Sequence, residues 1–315
     1  MRTTYGILAS LGMTAGIFGL LPSSSNAALT APRAIDAEIV VTGNKTTKEE
    51  IAELIKTTIA TPKGGRHEGQ YARFPGAVCP KVTGLSEQNN QQVEQRMRGV
   101  ALAADMSVAG EQCSPNVFVI VVADGNEAIE MLRKKRSRLF GGMSHYERSR
   151  IAKSGGPAYA WKRIQTGSAE TGALQNSDET DILPTDEMAK TEVATMHSNV
   201  KSRIKRSVKQ SMTHAFLLIE KDALVDLTTV QIADYAAMRS YMDTRDDKAT
   251  KAPAYSILSL FDATDDERPA PKSVSELDLV LLSALYHSPA DVSASMQSSA
   301  MINRFEKELI ANQED

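Results

Sequence analysis

Cysteine is almost absent from this 315-residue chain, and the two that occur, Cys79 and Cys113, lie 34 positions apart with no Cys or His at metal-ligand spacing near either. That argues against a zinc site built on these cysteines. Aromatic residues are scarce at 5%, with Trp161 the one tryptophan. A basic excess is lacking too, since the formal net charge is -3. Nucleic acid is therefore excluded as the main partner, because phosphate contacts demand surplus cations. Beyond residue 27 no segment approaches eighteen uninterrupted apolar residues, so no transmembrane helix is expected there. Also missing are a Gly-x-Ser-x-Gly elbow, a phosphate loop and a Gly-x-Gly-x-x-Gly turn.

What is present first is an export signal. Arg2 supplies the charged end, Gly6 to Leu21 an uncharged stretch too short to span hydrocarbon comfortably, and Ser25-Asn26-Ala27 the small residues of a cleavage site. Residues 1–27 are expected to be removed; an uncleaved anchor is the alternative. Loss of Arg2 leaves 35 basic against 39 acidic residues. The expected location is periplasmic or secreted. In such an oxidising compartment Cys79 and Cys113 pair most simply as a disulfide, two buried thiols being the alternative.

The pattern along the mature chain predicts an α+β protein. Glu38 to Gly43 reads as a strand, and Thr47 with Glu50 opens a helix whose apolar face is Ile51, Leu54, Ile55 and Ile59. Ala77 to Thr83 reads as a second strand, and Ser86 caps a long helix to about Met106. Val117 to Val122 is a continuous apolar run suited to a central strand covered on both faces. Asn126 is expected to cap a helix to about Arg138. Residues 28–140 thus form a β-α-β-α-β-α unit joined by the single disulfide. Residues 141–198 read as connecting loops around one strand, Ala158 to Thr166. Residues 199–315 form a mixed region: strands Val200 to Val208 and Thr213 to Glu220 as a pair, a helix capped by Thr228, a short apolar element at Ser256 to Phe261, a helix capped by Ser275 with Asp278, and a terminal helix from Ala294.

Few residues offer chemistry. The five histidines, His67, His145, His197, His214 and His287, are unpaired in spacing, so neither a metal nor any other cofactor is expected. On one helical face Gln231, Asp234, Tyr235 and Met238 stand together. With His214, the pair Asp234 and Tyr235 is the candidate catalytic set, and a packed helix with Asp234 bound to a nearby cation is the structural alternative. Two basic clusters, at 133–138 and 201–209, are candidates for an anionic lipid or acidic partner; from the second, Lys201, Arg203, Lys205 and Arg206 join Gln231 as candidate binding residues.

Ile39-Val40-Val41-Thr42-Gly43 resembles the start of many mature envelope proteins of Gram-negative bacteria. Segments 77–124 and 214–286, with Gln231, Asp234 and Tyr235 in one helix and Leu285-Tyr286 closing another, look like an uncharacterised family of exported proteins of those bacteria. Some of that family look like zinc-peptidase folds, in which a His-Glu-x-x-His helix follows an edge strand. Here Gln231 and Tyr235 occupy the histidine positions, so the resemblance implies at most a degenerate peptidase-like region. The expected role is a binding or interaction module for an envelope protein or small molecule. A hydrolase or pseudoenzyme, and a membrane-surface protein, are the two rivals.

Overall fold

The computed structural model describes residues 47–61, 69–141, 143, 145–153, 156–172, 202–245, 252–262 and 270–311. The leader, the strand expected at 38–43, most of the loop expected at 167–198, His67, His197 and Lys201 lie outside the described residues.

Helix starts follow the side-chain chemistry closely. Thr47, Thr228 and Ser275 each accept the third backbone N–H of the helix that follows, and Glu50, Gln231 and Asp278 return a bond to the cap. These capping boxes open α1 (Lys48–Thr58), α5 (Thr229–Tyr241) and α6 (Glu276–His287). Ser86 caps α2 (Glu87–Ala103) in the simpler way, and α7 runs Ala294–Ala311.

Asp124, not Asn126, caps α3 (Gly125–Lys135): its carboxylate accepts the Glu127 N–H at 2.8 Å. The shift places Gly125 at the first helical position. Any Cβ there would lie 2.1 Å from the Tyr159 ring, so glycine is required by close approach.

The strands are β1 (Pro80–Thr83), β2 (Val117–Val122), β3 (Ala158–Ser168) and β4 (Val208–Glu220), in sheet order β1-β2-β4-β3. β1 and β4 run parallel to β2 on either side of it, and β3 runs antiparallel to β4. The chain is thus α+β with a mixed sheet. β2 is central, as its unbroken apolar run predicts. β1 is an edge strand opening on Pro80, where a missing N–H does least harm. Since β4 inserts between β2 and β3, the expected segment boundaries at 140 and 198 fall within one shared sheet.

Two expectations fail for local reasons. The cationic strand expected at 200–208 is not formed among the described residues; strand begins only at Val208. Ser202 Oγ accepts the N–H groups of Ile204 and Lys205, each at 3.1 Å, and this turn competes with extended pairing. The glycine-rich stretch 141–156, read as loop, contains α4 (His145–Lys153). Glu147 in its first turn with Arg150 and Lys153 in its last complement the helix dipole, and Ile151 anchors it to the sheet.

Helices cover both faces of the sheet. Val82, Val117, Val119, Ala215, Leu217 and Ile219 face α2 and α5, with α1, α6 and α7 completing that core. Tyr159, Trp161, Phe216 and Leu218 face the other way, against Ile129 of α3, Ile151 of α4 and Phe140 of the 3-10 turn Ser137–Phe140. Across this second face runs an aromatic row: Phe140, Trp161, Phe216 and Phe118 are stacked in succession at 4.8, 5.1 and 5.3 Å.

Cys79 and Cys113 form a disulfide with Cα atoms 6.1 Å apart, tying the segments that enter β1 and β2. Closing a loop of this size stabilises the fold by roughly 3 to 4 kcal/mol in the chain-entropy treatment.

Candidate functional site

The candidate catalytic residues His214, Asp234 and Tyr235 do not form one site. Asp234 is fully buried on α5, its carboxylate held by Arg96 Nε at 2.7 Å, Arg96 Nη2 at 2.9 Å and the Val274 N–H at 2.8 Å. This bidentate pair joins α2 to α5 and pins the chain entering α6. Tyr235 is buried edge-on against Phe261 at 4.7 Å. The side chain of Gln231 serves the Thr228 cap and donates to Pro271 O at 2.9 Å. His214 lies on the opposite face of the sheet, stacked 6.4 Å from Phe118 and 6.2 Å from Phe216. Asp234 and Tyr235 belong to the α2–α5 side, so the sheet itself separates them from His214. The strand that precedes α5 is central rather than an edge.

The second basic cluster is also drawn into structure. Lys205 Nζ stands 3.4 Å from Asp291 Oδ2, and the Arg206 N–H donates to Asp291 O at 2.6 Å, so the segment is stitched to the chain before α7. Arg203 is exposed.

The first basic cluster, at 133–138, behaves differently. Arg133 and Lys134 from the last turn of α3 converge with His145 and Arg148 of α4 around a cavity of about 250 Å³. Phe140, 1% exposed, contributes an apolar wall that belongs to the aromatic row. Glu130 is the one carboxylate on the lining and pairs with Arg133 Nη1. Arg148 Nε donates to Met143 O at 3.0 Å, which fixes the root of its guanidinium. Lys135, Arg136 and Arg138 are exposed. Lys135, in the last turn of α3, also complements that helix's negative end.

Three cations against one carboxylate, two of the cations half-buried arginines, make a setting for an anion. Arginine offers paired donors to carboxylate or phosphate oxygens, and partial burial weakens screening by water. Among the described residues no group of three or more His, Cys, Asp or Glu side chains is placed to hold a metal ion. His145 and Arg148 escaped the sequence reading because α4 itself did: the glycines flanking it, Gly141 and Gly156, outweighed the dipole-matched charges within.

Comparison with protein-family models, with curated proteins and with solved structures finds no match to this chain.

Proposed function

We propose that this is an exported protein of the cell envelope acting as a binding module, and that its ligand presents an anionic group to the cavity between α3 and α4. The observation that carries the reading is the convergence of Arg133, Lys134, His145 and Arg148 on one concave site beside Phe140. Export is supported by the leader-like residues 1–27 and by the Cys79–Cys113 disulfide, which is at home in an oxidising compartment. A binding role is favoured over hydrolysis because His214 stands across the sheet from Asp234 and Tyr235.

Isothermal titration of the chain with inorganic phosphate and sulfate tests this. The expected result is saturable binding that weakens as salt is raised, and a loss of about tenfold or more in the double variant Arg133→Gln/Arg148→Gln with its thermal midpoint retained. Equal binding by the folded double variant, or none by the native chain at low salt, overturns the reading.

A further inference from the structure

A second cavity of about 250 Å³ has a different chemistry. It lies where four stretches of chain meet: the segment at Arg73, the residues following α2, the start of β4 and the end of α6. Its walls are polar. Arg73 and Lys209 supply two cations, Asp105 a carboxylate, and Ser107 and Ser211 hydroxyl groups; Tyr286 lines the cavity too, but its hydroxyl donates to Tyr241 O at 2.8 Å.

Arg73 organises the site. All three of its side-chain hydrogen bonds among the described residues leave from Nη1, to Leu285 O and Ser288 O at 2.5 Å and to Ser288 Oγ at 3.2 Å. These satisfy carbonyls at the end of α6, and the same arginine lines the cavity. Burial holds this guanidinium below its ordinary value, with Tyr286 acting in the opposite direction, and an incoming anion offsets that cost. Asp105 acts in the other sense. It is largely exposed, and Arg304 Nη2 approaches it only to 3.6 Å. α2 brings its C-terminal end to the cavity beside Asp105, adding partial negative charge there, while carbonyls at the end of α6 are taken by Arg73. A dianion is therefore disfavoured, whereas a molecule carrying one carboxylate and one ammonium matches both walls.

We infer that this cavity binds a small α-amino carboxylate, its carboxylate held by Arg73 and Lys209 and its ammonium by Asp105. The site is independent of the anion cavity between α3 and α4. Its volume suits a ligand smaller than the drug-sized molecules that fill pockets of roughly 300 to 1,000 Å³.

Titration of the chain with L-alanine, L-serine and L-leucine, beside propionate and propylamine as half-ligands, tests the inference. The expected result is saturable binding of at least one amino acid, with both half-ligands about tenfold weaker or worse. Asp105→Asn keeps a residue that tolerates the local backbone, and it should weaken the amino acid about tenfold while leaving propionate unchanged. Lys209→Gln should weaken amino acid and propionate together. Arg73 is kept, because its Nη1 bonds close α6. No saturable binding across the panel, or undiminished amino-acid binding by Asp105→Asn, overturns the inference. Phosphate binding at the α3–α4 cavity has no bearing on either outcome.

Discussion

The two faces of the sheet are built to different standards. Toward α2 and α5 the strands bury aliphatic side chains to completion, and a second rank of helices, α1, α6 and α7, lies within the same core. Toward α3 and α4 the cover is slighter. There Phe118, Ile120 and Val122 of β2 are only half-buried, whereas Val117 and Val119 of the same strand are 0% exposed. On the fully covered face buried ionisable groups are tied into closed contacts: Arg96 with Asp234, Lys162 Nζ 3.8 Å from Asp243 Oδ1, and Asp278 held by Ser256 Oγ and the Ile257 N–H. The thinner face keeps cations around a concave, solvent-reached cavity. Complete packing leaves room for a ligand only at its rim, where α2 and α6 end; a single, partial helical layer leaves it between the covering helices.

The largest expected effect tests the closed pair. Asp234→Ala removes a fully buried acceptor of three hydrogen bonds and strands Arg96 and the Val274 N–H. It should cost about 3 to 5 kcal/mol in urea denaturation. Glu130→Gln, which breaks the partly exposed pair with Arg133 on the other face, should cost about 1 kcal/mol or less. Comparable losses from the two would erase the distinction between the faces.

A matched pair on β2 sharpens it further. Val119→Ala should cost about 2 to 3 kcal/mol, from two methyl groups lost plus an unfilled cavity under the rigid double rank. Val122→Ala makes the same chemical change on the thinner face, where the side chain already meets water, and should cost about 1 kcal/mol. Equal denaturation midpoints for the two variants would show the covers to be equivalent.

Local signals were legible in the sequence where a short stretch decides the structure. Thr47 with Glu50, Thr228 with Gln231 and Ser275 with Asp278 announce their helices because cap and return bond lie three residues apart. The apolar run 117–122 announces a central strand, and an isolated cysteine pair announces the disulfide. The site was not legible, because its parts acquire meaning only through distant partners. Asp234 stands 138 positions from Arg96, so its helix reads equally well as a cluster of reactive groups. His214 is kept from Asp234 and Tyr235 by a strand alternation that sequence spacing shows, but the cover on each face depends on helices elsewhere. The expected strand at 200–208 failed because alternating cations mimic a half-buried strand while Ser202 closes a turn.

The smallest predicted effect lies at the rim of the well-covered side, where α2 ends. The Met106 N–H returns to Ala101 O and the Asp105 N–H to Leu102 O, a Schellman closure that puts Asp105 at φ 56°, in the left-handed region. Glycine is the usual residue there; aspartate carries a Cβ penalty of roughly 1 to 2 kcal/mol that its short polar side chain only partly relieves. Asp105→Gly also frees the unfolded chain and gives up the long contact with Arg304, two losses that together offset much of the gain. The net expectation is a stabilisation of about 0.5 kcal/mol, read as a higher denaturation midpoint at unchanged slope. The carboxylate would then be held at a cost to the fold, as residues of a binding site often are, and the same variant should lose the amino acid. A destabilised Asp105→Gly would instead make Asp105 a structural partner of α7 through Arg304.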